Sequence, residues 1–321
     1  MTKPTVYTSE DLSHGDPKGT LFRQLRLDGK PCPARLCVFG DPVAHSKSPQ
    51  LQNAALKECN KGLQYVRIQV TPDQLEGALR NLEEADFLGT NLTIPHKQAA
   101  LEFVDEISPE ARLMGAINTV AVREGKLHGY NTDGPGFAAA IKEEFGVELE
   151  TLRILILGGG GGAGRAITVQ CAVAGCPTVF VANRTVEKAQ LLSEEIQENL
   201  SVNITPISLA PGALENALSC VDLIVNATSL GMKADDPSPL LDGLLQPDHL
   251  VYDSVYSGGT SALIHQAQGV GARNANGLSM LLHQGALAYE IWFGGPAPLE
   301  SMRAALKGSM ETNKDQRPNF I

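Results

Sequence analysis

Polar and apolar positions along the chain fall into two successive α/β rhythms. Leu36-Cys37-Val38-Phe39-Gly40 is an unbroken apolar run, the pattern of a strand buried on both faces. The helix expected next runs to about Asn60-Lys61-Gly62; Ser48 can cap it and Pro49 suits its first position. Val66, Ile68 and Val70 alternate with polar residues and predict a second strand. Thr71-Pro72-Asp73-Gln74 then reads as a capping box, and Leu75, Ala78, Leu79 and Leu82 form one helical stripe. Phe87 to Leu92 predicts a third strand, and Ala116 to Val122 leads over a Glu124-Gly125 turn into Leu127-His128-Gly129-Tyr130. This rhythm predicts a small, largely parallel sheet.

The second rhythm starts with Arg153-Ile154-Leu155-Ile156-Leu157. Strands are expected near 153–157, 178–182, 203–208, 221–226, 249–254 and 272–275, most of them separated by helices. Six such strands with crossover helices make a doubly wound sheet. The break between the two halves is expected in a helix from Pro135 to Phe145, closed by Gly146. Two helices, Leu278 to Phe293 and Leu299 to about Lys307, follow the last strand and are expected to pack back on the first half. Residues 1–34 carry turn formers and no strong periodicity, with a short strand or helical turn over Leu21 to Leu27. Residues 310–321 are polar and read as a frayed end.

Composition narrows the function classes. The 321 residues are 43% hydrophobic, enough for a substantial core, and the net charge of −10 argues against nucleic acid or an anionic membrane as the main partner. Six cysteines show no CxxC pair and no metal-like spacing, which predicts reduced thiols and a cytoplasmic protein. No apolar leader follows Met1, and no run of 18 apolar residues occurs.

Chemistry enters where the second rhythm begins. After the strand at 153–157 the chain reads Gly158-Gly159-Gly160-Gly161-Gly162-Ala163-Gly164, and a helix-compatible segment follows. Glycines in that context let backbone N–H groups approach a pyrophosphate at a helix N-terminus. Gly159-x-Gly161-x-x-Gly164 matches the dinucleotide fingerprint, and a shift by one residue fits almost as well. An NAD site usually has an acid about 20 residues further on. Here that place reads Asn183-Arg184-Thr185, with Lys188 a turn later and no acid before Glu187, which suits the extra phosphate of NADP. The plainer reading, Thr185 as a helix cap and Arg184 as a solvated side chain, gives no reason for the missing acid.

Four polar clusters remain: Ser46 with Ser48, Asn91-x-Thr93-x-Pro95-x-Lys97, Asn118-Thr119, and Asn131-Thr132-Asp133-Gly134. Any one of them is explained by turn chemistry. Each, however, follows a predicted strand, where open α/β sheets place ligands, and together they suit a small polyhydroxylated acid. Lys97 and Asp133 are left over for proton transfer. No HExxH or comparable metal spacing occurs.

These segments resemble the shikimate dehydrogenase family, which includes shikimate and quinate dehydrogenases. Gly40-Asp41-Pro42-Val43-Ala44-His45-Ser46-Lys47-Ser48-Pro49, Asn91-Leu92-Thr93-Ile94-Pro95-His96-Lys97 and Gly115-Ala116-Ile117-Asn118-Thr119 open a series of seven motifs. Tyr130-Asn131-Thr132-Asp133-Gly134, Asn183-Arg184-Thr185, Asn226-Ala227-Thr228-Ser229 and Asn276-Gly277-Leu278-x-Met280-Leu281-x-x-Gln284 complete it in order. The resemblance spans about residues 36–296.

It implies an α/β chain with a small, mostly parallel substrate domain over 35–134, completed by the C-terminal helices of 276–321. A doubly wound Rossmann domain binding NADP would cover 135–275, and residues 1–34 would be an extension without counterpart in compact members. Ser46, Ser48 and Tyr256 would bind a substrate carboxylate, and Thr93, Asn118 and Gln284 its ring hydroxyls. Lys97 and Asp133 would be the catalytic pair. Gly159, Gly161, Gly162 and Ala163 would line the pyrophosphate, Asn183, Arg184, Thr185 and Lys188 the adenosine ribose, and Gly277 and Met280 the nicotinamide. The activity implied is NADP-dependent, reversible reduction of 3-dehydroshikimate to shikimate, by a monomer or homodimer without metal. A quinate or dual quinate/shikimate dehydrogenase is the nearest alternative. A ligand-sensing module that kept the fold without the catalysis is the other, although Lys97 and Asp133 are both present.

Overall fold

The computed structural model describes residues 5–13, 20–200, 202–233, 235–256 and 260–314. The chain divides into two compact units, one of Met1–Thr132 with Gln284–Ile321 and one of Asp133–His283.

The first unit runs β1 (Val6–Thr8), α1 (Ser9–Ser13), α2 (Thr20–Arg23), the hairpin β2 (Arg26–Leu27) and β3 (Lys30–Pro31), β4 (Ala34–Gly40) and α3 (Ser48–Glu58). Next come β5 (Gln64–Gln69), α4 (Leu75–Glu84), β6 (Gly89–Leu92), α5 (His96–Ala99), β7 (Glu106–Ile107), α6 (Pro109–Met114), β8 (Thr119–Arg123) and β9 (Lys126–Tyr130). Its sheet has the order β1-β5-β4-β6-β8-β9-β7. Only the β6·β8 and β8·β9 ladders are antiparallel. One face of this sheet is dry: Cys37, Phe39, Val66, Ile68 and Val70 pack with Leu75, Ala78, Leu79 and Leu82 of α4. The capping box at Thr71 and Gln74 is present and opens a 3₁₀ turn immediately before that helix.

Two expectations need correction here. Ser48 lies inside α3, and the N-cap position is Lys47, whose side chain makes no capping bond. The hydroxyl that serves the helix start belongs to Ser46, whose Oγ accepts from the Ser48 N–H at 3.3 Å. The N-terminal stretch is also more structured than its pattern suggested. β1 adds an edge strand parallel to β5, and Phe22 is 0% exposed within the core. Its ring meets Tyr7 at 5.0 Å and Phe87 at 5.2 Å, both edge-on. A three-residue strand is too short to show periodicity, so burial of isolated aromatic residues carries this segment.

The second unit holds α7 (Asp133–Phe145), β10 (Arg153–Leu157), α8 (Gly162–Ala174), β11 (Thr178–Ala182), α9 (Val186–Asn199), β12 (Ile204–Ile207) and α10 (Pro211–Leu218). It continues through β13 (Leu223–Asn226), β14 (Leu250–Asp253), α11 (Ala262–Val270) and β15 (Arg273–Asn276). The sheet is wholly parallel in the order β12-β11-β10-β13-β14-β15, which is the doubly wound arrangement. Helix α12 (Leu278–Phe293) begins in this unit and ends in the first, and α13 (Leu299–Lys314) belongs to the first. Among the described residues no helix is long and apolar enough to cross a membrane.

Phe22 tests the correction at the N-terminus. Truncating a fully buried aromatic side chain costs about 3–5 kcal/mol, so Phe22→Ala should shift the urea unfolding midpoint down sharply with an unchanged slope. A midpoint unmoved from the parent's would mean that residues 1–34 contribute nothing to the core.

Candidate functional site

In the first unit the sheet reverses its winding between β4 and β6. From there β4 leads to β5 on one side and β6 towards β8 on the other, the place where open α/β sheets form a ligand crevice. The segments beyond the two strands are stitched together at its rim: Asp41 N–H donates to the Ile94 carbonyl at 3.1 Å and Thr93 N–H to the Phe39 carbonyl at 2.9 Å. This juxtaposes the segment carrying Ser46 and Ser48 with the segment carrying Thr93 and Lys97.

Lys97 sits in α5, directly after buried His96. The His96 ring has Nε2 2.8 Å from the Val70 carbonyl, which can only accept. Burial pushes the imidazole pKa down, against the bond to Val70 and the Asp41 charge, so the ring anchors α5 as a neutral group. The Lys97 carbonyl accepts from Ile117 N–H at 2.7 Å, placing Lys97 beside the segment that carries Asn118.

Asn118, 1% exposed, is the centre of a polar network. Its Oδ1 accepts from Thr132 N–H at 2.8 Å and from the Thr119 hydroxyl at 3.0 Å. Its Nδ2 donates to Thr132 Oγ1 at 2.9 Å and reaches Gln284 Oε1 at 3.5 Å. Asn91 extends the network, donating through Nδ2 to Thr119 Oγ1 at 2.9 Å and accepting from the Tyr65 hydroxyl at 2.7 Å. Burial pushes the Tyr65 pKa well up, and a hydrogen bond with the Ser48 side chain acts against that rise. The side chains of Ser48, Tyr65, Asn91, Thr119, Asn118 and Gln284 therefore form one continuous polar line. Gln52, one turn after Ser48 on α3, fixes α12 beside it by donating to the Gly285 carbonyl at 2.8 Å.

Sequence reasoning missed two of these groups. Tyr65 and Arg67 were not singled out. Arg67 was one of the polar residues alternating with Val66, Ile68 and Val70, yet it is 7% exposed. The available signal was that a central strand of a covered sheet has no wet face for an arginine. Of the residues expected at the site, Ser46, Ser48, Thr93, Lys97, Asn118 and Gln284 lie in the first unit, whereas Asp133 and Tyr256 lie in the second. Asp133 opens α7, immediately after the tethered Thr132. Tyr256 follows β14 half-buried, with burial raising the pKa of its hydroxyl.

In the second unit the winding reverses between β10 and β13, and the glycine loop lies there. Gly158 has φ +89°, and a Cβ on it would meet Thr228 N at 2.9 Å, in the segment after β13. A Cβ on Gly159 would strike the Val181 side chain, and one on Gly164 would strike the Gly158 carbonyl oxygen. Gly161 and Gly162 are the opposite case. They are exposed at the start of α8, with nothing nearer to a built Cβ than 3.9 Å. Gly158 thus makes the tight turn, Gly164 permits close helix–strand packing, and Gly161 and Gly162 leave open backbone at the helix N-terminus. This suits a pyrophosphate at the helix N-terminus.

A Cβ on Gly160 would lie 3.2 Å from Lys188 Cβ and 3.3 Å from Asn183 Nδ2, so these two residues flank the loop. Arg184 is exposed beside them. Thr185 occupies the N-cap position of α9, and its side chain makes no capping hydrogen bond. Gly277 packs so tightly on Ser254 that a Cβ would strike its carbonyl oxygen. Met280 is fixed by its N–H donating to the Tyr252 hydroxyl at 3.1 Å. No group of His, Cys, Asp and Glu among the described residues could hold a metal ion.

The two glycine classes make a paired prediction. Gly164→Ala forces backbone apart, and overpacking of this kind costs on the order of 1–3 kcal/mol. Gly162→Ala adds a methyl group in open space and should leave the thermal midpoint within a degree or two of the parent, on the order of a few tenths of a kcal/mol. Equal losses in the two variants would remove the packing role assigned to Gly164.

Residues 38–120 match the shikimate dehydrogenase substrate binding domain. Residues 139–233 match the shikimate/quinate 5-dehydrogenase model and 277–307 the shikimate 5'-dehydrogenase C-terminal domain. The NADP(+) shikimate dehydrogenase of Methanopyrus kandleri is 41% identical over 271 residues, covering 84% of this chain and 93% of its own length. That of Desulforamulus reducens is 40% identical over 285 residues, covering 88% and 96%. Among solved structures, the Thermus thermophilus shikimate 5-dehydrogenase in complex with NADP(H) and shikimate superimposes with a TM-score of 0.76 at 38% identity, covering 85% of this chain and 98% of its own.

Proposed function

The chain belongs to the shikimate dehydrogenase family, and on that premise we propose that it is an NADP-dependent enzyme interconverting 3-dehydroshikimate and shikimate. That reaction is a step towards chorismate and the aromatic amino acids. The observation that carries the reading is the continuous polar line from Ser48 to Gln284, which offers hydroxyl and carboxamide groups at one crevice. A flat polyol acid needs such a set of fixed donors and acceptors. Ser46 and Ser48 take its carboxylate, with Tyr256 assisting, while Thr93, Asn118 and Gln284 take its ring hydroxyls. Because most partners of Asn118 belong to the protein itself, its amide is held ready before substrate arrives. The six free thiols support a reducing, cytoplasmic setting.

NADP, when bound, supplies or accepts the hydride. The residues present fit it: the open space over Gly161 and Gly162 leaves room for the pyrophosphate at the start of α8, and Asn183, Arg184, Thr185 and Lys188 surround the ribose, with no acid before Glu187 to repel a 2′-phosphate. Gly277 and Met280 form the nicotinamide end. Moving a hydride onto a ketone leaves an alkoxide that requires a proton or a cation beside it. Lys97 fills that role, giving its proton to the oxygen during reduction and taking it back during oxidation. Asp133 is the carboxylate paired with Lys97 in this reading.

Initial rates with shikimate and quinate, each with NADP+ and NAD+, test the whole reading. Shikimate with NADP+ should give the highest kcat/KM; equal or better turnover of quinate would overturn the assignment of substrate. Lys97→Ala should cut kcat by about 10²–10⁴-fold with little change in KM. A near-normal kcat in that variant would take Lys97 out of the mechanism. Charge-assisted hydrogen bonds are worth about 1.5–3 kcal/mol, so Arg184→Ala should raise KM for NADP+ about ten- to a hundredfold while sparing NAD+. Equal losses with both cofactors would reduce Arg184 to a support of its loop.

A further inference from the structure

Arg67 projects from β5 into the elements around Ser46. Its Nε and Nη2 both donate to the Ser46 carbonyl, at 3.2 and 2.7 Å, and Nη2 also donates to Gln50 Oε1 at 3.0 Å. Every partner is neutral. Among the described residues no carboxylate stands within ion-pair distance of this guanidinium. Asp41, just after β4, accepts from the Nε2 of Gln69, two residues after Arg67 on β5, at 2.9 Å. Tyr65 next to Arg67 carries a raised pKa and is neutral at physiological pH.

A second cation lies close by. Lys47, between the two serines, donates through Nζ to the Ser309 carbonyl at 3.3 Å and has no acidic partner among the described residues. Burial lowers its pKa first, and the neighbouring Arg67 charge lowers it further. Two cations held together without a counter-ion repel each other, and a largely buried guanidinium is costly unless an anion offsets it. A fold that needed only to clamp the 46–50 segment could do so with a neutral donor.

We propose that Arg67 and Lys47 are the charge that holds the substrate carboxylate on Ser46 and Ser48, acting from behind the serines as positioning residues. The inference rests on the reading of this crevice as the shikimate site. The serine hydroxyls are neutral, and a carboxylate bound only by hydroxyls exchanges water for partners of similar strength. Arg67 adds a Coulombic preference for the anion and fixes the Ser46 backbone from which the hydroxyl projects. Substrate binding then supplies the missing counter-charge, so affinity should fall as salt rises.

Comparing shikimate with its neutral methyl ester separates charge from shape. In the full chain with NADP+, Arg67→Gln should raise KM for shikimate on the order of ten- to a hundredfold, as expected for loss of a near, partly desolvated charge. The KM for the ester and both kcat values should stay close to the parent's. Arg67→Lys should keep most of the preference for the acid, and the salt dependence of KM should flatten only in Arg67→Gln. A parallel rise for acid and ester would mean that Arg67 braces the loop and nothing more, overturning the proposal. If Arg67→Gln turns over neither compound, Lys47→Met decides: a selective loss of the acid supports the proposal and an unchanged acid-to-ester ratio overturns it. A parent chain inactive on both compounds would instead overturn the shikimate reading, and this inference with it.

Discussion

The carboxamide of Asn118 is the constraint on which the arrangement of polar side chains depends. A buried amide must satisfy both its donor and its acceptor, and Asn118 does so with partners from several chain segments. Two of these partners, Thr132 and Gln284, are the residues at which the chain leaves the first unit and re-enters it. Both crossing points are therefore fastened to one side chain inside the first unit. Asp133 follows one tether directly, and Lys97 is bonded through its carbonyl to the residue before Asn118. Loss of this amide would leave buried hydroxyls without partners and slacken the placement of groups on either side of it.

How much of this was legible in the chain depended on the kind of signal. The central strands of the second unit, β10 and β13, are nearly uninterrupted apolar runs, and burial on both faces leaves such runs little alternative. Helix α12 was equally plain, from Leu278 to Phe293, because a long apolar segment opening after Asn276-Gly277 has few other solutions. The start of α3 was not. Ser46 and Ser48 have the same side chain two positions apart, and backbone placement alone decides which of them serves the helix end. Tyr65 and Arg67 stayed hidden for a related reason. Strand alternation says which residues share a face but not whether that face is wet, and here α3 covers it. Phe22 is a third instance, a single aromatic residue whose burial depends on Tyr7 and Phe87 arriving from distant segments.

The glycine loop shows how structure resolves what a motif leaves open. Five consecutive glycines accept more than one register, and their order carries no further information. A missing Cβ matters only where something occupies its place. At Gly158, Gly159 and Gly164 the neighbouring atoms are backbone or a tightly packed valine, so the hydrogen is obligatory. At Gly161 and Gly162 the space is empty, so these glycines are explained by what could approach from outside. The same local pattern thus divides into glycines required by packing and glycines that keep a backbone surface open.

Net charge is a poor guide to the sites. A chain of −10 gives no reason to expect anionic ligands, yet among the described residues cations without acidic partners stand at two separate places. Arg184 and Lys188 flank the glycine loop from the exposed start of α9, where a cation remains hydrated and is cheap to keep. Arg67 is withdrawn under Ser46, where the desolvation cost is high and its persistence requires a compensating anion. Exposure therefore separates their roles physically. An exposed cation can discriminate between two versions of a ligand that binds mainly elsewhere, as a 2′-phosphate does on a dinucleotide. A buried one makes the anion part of the site's own charge balance. The surface acids that dominate the total are screened within about 10 Å at moderate salt, so each crevice takes its sign from the few groups within that reach.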